Sequence, residues 1–116
     1  MRIMEAQDKA RESGRLALTK KADDVLVIEL TGLTDIADAF MLATGTSERH
    51  VKTISDGIEE GMKEKGLKPS SIEGYDQGRW VIMDYGDVIV HVFLEELREL
   101  YDLEDLWIEA KRQRME

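Results

Sequence analysis

His50 and His91 are the side chains of this sequence best suited to ligate a metal or move a proton near neutral pH. Nothing joins them into a site. HExxH and related ligand spacings are absent, and a chain without cysteine cannot build a thiolate zinc centre. His91 lies in an alternating apolar segment, where it could share a face with Asp84 and hydrogen-bond there or at an interface. Gly45-Thr46-Ser47 is the other candidate, because free N–H groups at a helix start attract phosphate. It matches neither GxxxxGK(S/T) nor GxGxxG, and a glycine turn with ordinary N-caps accounts for the same residues. A nucleotidyltransferase would also need a carboxylate pair on the next strand to hold Mg²⁺. Glu73 and Asp76 are the acids near that place, and their spacing does not suit one face of a strand. The expectation is no catalytic residue, no metal and no cofactor. A nucleotide-binding or nucleotidyltransferase-type module using Gly45-Thr46-Ser47 is the alternative.

Residues 80–107 offer contact chemistry instead. Acids at 95, 96, 99, 102, 104, 105 and 109, against Arg98 alone, give the C-terminal helical region a charge of −6. Most such runs are solvated helix faces. Against that stand Arg98, Tyr101 and Trp107, residue types enriched at binding hot spots, and Trp80 adds a second indole. Helical spacing with Leu103 favours a core position for Trp107. Trp80 stays open between core and contact.

These side chains need a scaffold, and 116 residues allow one domain with a single core. The sequence divides into an N-terminal helix at 3–21, an α/β core at 24–110 and a basic tail at 111–116. The first helix has few apolar anchors and Gly14 in its middle, so it is expected half-exposed and loosely held. Val25 to Leu30 is a continuous, β-branched apolar run, the pattern of a strand buried on both faces. A second strand is expected over 38–44. Thr46 or Ser47 then caps a helix whose stripe is Val51, Ile54, Ser55, Ile58 and Met62, stopped at Gly66. Ile72 to Tyr75 reads as a short edge strand. Trp80–Tyr85 and Val88–Phe93, separated only by Gly86-Asp87, predict a type II′ or I′ hairpin. Helical spacing follows from Leu94, with Asp102 as a second N-cap. The fold class is α/β, a mixed sheet of about five strands flanked by helices.

The charge is unevenly placed. Of a net −9, residues 1–21 hold +3 and 111–116 hold +2, leaving −14 on 22–110. An acidic body repels a phosphate backbone, so no direct nucleic-acid specificity is expected, and a basic protein is the better-matched partner. No apolar run approaches membrane-spanning length. The N-terminus has no apolar signal segment, which points to a cytoplasmic protein without membrane association.

Gly45-Thr46-Ser47 with Arg49-His50-Val51, Glu73-Gly74, Trp80, the run Asp84-Tyr85-Gly86-Asp87-Val88-Ile89-Val90-His91, and Arg98 to Trp107 together carry a resemblance. Over residues 4–110 the chain is similar to the Iojap-related ribosomal silencing factors. The resemblance implies a nucleotidyltransferase-like fold without the catalytic carboxylates. It further implies binding to the large ribosomal subunit through ribosomal protein L14, at the face that would meet the small subunit. Subunit joining is then blocked sterically and translation falls when nutrients are scarce. Members are similar in forming homodimers when free. The contact surface carried over is Trp80, Asp84 and His91 on the sheet, then Arg98, Tyr101, Leu103, Glu104 and Trp107. A dimeric adaptor pairing through an exposed hairpin edge is a third reading.

Overall fold

The computed structural model describes residues 4–115. Helix α1 (Ala6–Thr19) precedes strands β1 (Asp23–Glu29) and β2 (Ala39–Gly45), and helix α2 (Glu48–Glu64) follows. Next come β3 (Ser71–Glu73), β4 (Trp80–Asp84) and β5 (Val88–Leu94). Short helices α3 (Glu95–Tyr101) and α4 (Leu103–Leu106) then lead to β6 (Lys111–Arg114). The strands form one open mixed sheet in the order β3-β4-β5-β2-β1-β6. Only β2 and β5 run parallel; every other neighbouring pair is antiparallel.

Strand alternation builds two cores, one on each face of this sheet. Val25, Val27, Met41, Val81, Met83, Val90 and Val92 face α1 and α2. Leu26, Ile28, Phe40, Leu42 and Phe93 face the other way. On that second side Trp80, Leu97, Leu103 and Trp107 pack only partly buried. The chain after β5 is therefore the cover of the second face, and the cover is thin: α3 has seven residues and α4 has four.

The stripe expected on α2 is the buried one, with Val51, Ile54, Ser55, Ile58 and Met62 all inward. Ser47 caps it, its hydroxyl accepting the His50 amide at 3.0 Å. The hairpin closes as expected, the Tyr85 amide donating to the Val88 carbonyl at 2.9 Å. Gly86 has φ +88° and Asp87 is outside the left-handed region, which selects the type II′ turn.

Two expectations change. Helix α1 is not loosely held: Ala10, Ser13, Gly14 and Ala17 are buried against the sheet and α2. Small residues make this packing. A Cβ on Gly61 of α2 would lie 2.4 Å from a methyl of Leu16, so Leu16 packs into the space that the missing side chain leaves. The basic tail is also a strand. Residues 111–114 pair with β1 from Leu26↔Arg114 to Glu29↔Lys111, which makes six strands where about five were expected. Every residue of β6 is exposed, so main-chain pairing rather than burial holds it, and its charges blunt the sheet edge.

Candidate docking surface

The hairpin sets the centre of the surface. Pairing places Trp80 opposite Phe93, Ile82 opposite His91 and Asp84 opposite Ile89. Asp84 therefore lies two pairs beyond His91 toward the turn, and its carboxylate accepts the Gly86 amide at 2.8 Å. The expected Asp84–His91 contact is not made. His91 instead accepts the indole N–H of Trp80 at Nδ1, 3.1 Å away.

His91 is interior, at 6% exposure. Its ring meets the edge of Phe40 at 4.7 Å between centroids. Burial pushes its pKa down to about 4, so the imidazole is neutral at physiological pH. Because Nδ1 accepts, the proton sits on Nε2, which is buried with no hydrogen-bond partner among the described residues.

Trp80 is half-buried. The Phe93 ring lies 5.5 Å away and the Tyr101 ring of α3 lies 4.9 Å away, between centroids. Tyr101 is 55% exposed. Trp80, Tyr101 and Leu97 line an open groove of about 430 Å³ together with Gly74, Asp76, Gln77 and Arg79. Exposed Glu95, Glu96 and Glu99 on α3 leave its flank acidic. Groove and flank together suit a segment that offers an apolar side chain beside basic ones.

Arg98 was expected as a surface contact and is interior, at 3% exposure. Its Nη1 donates to the Asp24 carbonyl at 2.6 Å and to the Thr44 hydroxyl at 2.8 Å. Its Nε donates to Glu104 at 3.0 Å, and the guanidinium carbon sits 5.8 Å from the Phe93 ring centre. The bulge of β1, where pairing with β2 shifts between Asp23 and Leu26, offers that carbonyl, and Asp24 there has φ +53°. Arg114 also pairs with Asp24 and lies 4.0 Å from Glu104. Asp102, at φ +44°, turns the chain between α3 and α4 and caps α4 through the Asp105 amide.

Of the eight residues singled out from the sequence, the structure brings Trp80 and Tyr101 together at an accessible position. Trp107 packs edge-on to Phe40 at 6.5 Å, and Leu103 joins the same cluster, both half-buried. Glu104 is tied to Arg98, and Asp84 stands at the far end of β4. His91 and Arg98 support the surface from beneath and do not face outward. Sequence reasoning missed Leu97 and Arg79 as groove residues. Leu97 stands four residues before Tyr101 and Arg79 adjoins Trp80, a signal that was available.

The Gly45-Thr46-Ser47 turn is occupied internally. The Thr46 amide donates to His50 Nδ1 at 2.9 Å, and His50 Nε2–H donates to the Lys20 carbonyl at 2.8 Å. With the His50 amide on Ser47, two of the main-chain donors at this turn, those of Thr46 and His50, are engaged within the chain. Among the described residues no three of His, Asp or Glu gather as a metal site. No described helix is long and apolar enough to cross a membrane.

The family model described as "Ribosomal silencing factor during starvation" matches residues 3–116. A Bacillus subtilis protein named ribosomal silencing factor RsfS is 40% identical over 91 residues, spanning 78% of this chain and 77% of its own. One of the same name from Halalkalibacterium halodurans is 42% identical over 91 residues, spanning 78% of each. A crystal structure from Chromobacterium violaceum superposes with a TM-score of 0.87 at 33% identity, covering 97% of this chain and 94% of that one.

Proposed function

The chain belongs to the ribosomal silencing factor family, whose role is ribosome silencing, and from that premise we propose that it docks on the large ribosomal subunit through ribosomal protein L14. Docked there, its bulk clashes with the incoming small subunit, and translation falls when nutrients are scarce. One observation supports this reading of the surface: the tilted Trp80–Tyr101 pair, 4.9 Å between centroids, lines an open groove beside the acidic flank of α3. A steric blocker needs no turnover. Its requirements are a complementary patch and size, and the acidic body steers it toward a basic ribosomal protein. On this reading the protein acts stoichiometrically, in the cytoplasm, without cofactor, metal or base-specific RNA contact.

The free protein is a homodimer in this proposal. Leu100, Leu106 and Ile108, each more than 60% exposed, supply apolar surface on the segment after β5 that a second copy covers. Mass measured across a dilution series tests that state.

Sedimentation of mixed ribosomal subunits tests the main reading. Added protein is expected to travel with the large subunit and to deplete joined ribosomes in proportion to occupancy. Undiminished joining at saturating protein would sink it. A parallel pull-down with isolated L14 separates that partner from other large-subunit proteins.

A further inference from the structure

We propose that His91 is a positioning residue of the docking surface: its Nδ1 holds the indole N–H of Trp80 and so fixes the indole edge that lines the groove. The inference rests on Trp80 being part of the contact surface, as argued above.

Trp80 opens β4 directly after a largely exposed loop and is itself only half-buried. Phe93 and Tyr101 supply apolar packing for the indole, and apolar burial is non-directional, so it does not by itself choose between two flipped orientations of the ring. A hydrogen bond distinguishes them. Only one orientation turns Nε1–H toward His91, and the flipped ring leaves that donor without its acceptor.

His91 is suited to this task and to little else. It is held from the opposite side by Phe40 and by its place in the centre of β5. An apolar side chain would fill the same space without leaving a buried Nε2–H unpaired. Among the described residues, the one polar contact the imidazole makes is with the indole. Burial keeps the ring neutral, which leaves Nδ1 free to accept.

The test compares His91→Phe, which removes the acceptor and keeps a ring, with His91→Asn, whose Oδ1 stands near the place of Nδ1. Indole ¹⁵N–¹H signals, assigned with Trp80→Phe, are read without any partner. Affinity for purified large subunits is read alongside. The wild-type Trp80 indole proton is expected downfield and slow to exchange. His91→Phe should lose both properties while the rest of the spectrum persists, and should bind roughly fivefold to tenfold more weakly, about the worth of one hydrogen bond. His91→Asn should restore the indole signal and most of the affinity. An unchanged indole signal in His91→Phe overturns the proposal, as does equal affinity of the Phe and Asn variants. His91→Leu makes the same comparison if the Phe variant fails to fold. Should Trp80→Ala bind like the wild type, the surface reading fails, while the indole signal still decides whether His91 orients Trp80.

Discussion

Arg98 reaches back across the sheet to donate to the main-chain carbonyl of Asp24, at 2.6 Å, from inside the protein. This contact joins the segment after β5 to the bulge of β1, with Thr44 and Glu104 on the same guanidinium. Removing the side chain strands a buried carbonyl, a buried hydroxyl and half of an ion pair. Arg98→Ala is expected to destabilise the fold by about 2–4 kcal/mol. Arg98→Lys should recover only part of that, since one ammonium cannot reproduce the planar fork. Urea denaturation measures both; an alanine variant within about 0.5 kcal/mol of wild type contradicts the latch.

The pH dependence of stability carries a second expectation. His91 protonates near its ordinary value of 6.5 in the unfolded chain and near 4 in the folded one. Between these values the unfolded state binds more protons, so its contribution is complete above about pH 7 and lost as pH falls through 6.5 toward 4. From pH 7.5 to pH 5 the wild type should lose about 2 kcal/mol more than His91→Phe does. Parallel pH slopes for the two proteins would count against a buried neutral imidazole.

Tyr101 and Trp80 separate affinity from stability. Tyr101 is exposed, so Tyr101→Ala should leave the melting temperature within a few degrees of wild type and weaken large-subunit binding by about tenfold or more. Trp80→Ala should do both kinds of damage, because Trp80 also packs on Phe93. Binding should weaken with added salt, in keeping with the charge of the body. Normal binding by both variants would move the surface elsewhere.

Strand β6 is the subject of a fourth experiment. Arg112 donates to the carbonyls of Glu104 and Trp107, and Arg114 pairs with Asp24, so the strand pins α4 as well as β1. Removing residues 111–116 is expected to lower the melting temperature by at least about 5 °C. A melting curve that superposes on that of the full chain would return these residues to the status of a tail.

The parts of this fold that were legible in the sequence are those with a local period. The α2 stripe and the two-residue hairpin each announce themselves within about a dozen residues. Lys111-Arg112-Gln113-Arg114 has no apolar residue to alternate, and only its pairing partner β1 makes it a strand. The tightness of α1 depends on Gly61, far along the chain, whose missing side chain accommodates Leu16. For Arg98 the sequence gives a charged residue among acids, whereas its burial follows from a bulge carbonyl at Asp24. Trp107 packs as its spacing with Leu103 suggested. The meeting of Trp80 with Tyr101 needs α3 to fold back over β5, which no local pattern encodes.

The chain's two tryptophans, Trp80 and Trp107, both stand on the sheet face opposite α1 and α2. Emission excited selectively at tryptophan therefore reports on that face, while the helical side, where Tyr85 lies, contributes no indole signal. Far-ultraviolet dichroism, by contrast, is weighted toward α1 and α2. A spectral change without loss of ellipticity, on heating or on adding a partner, would register the thin cover shifting over an intact sheet.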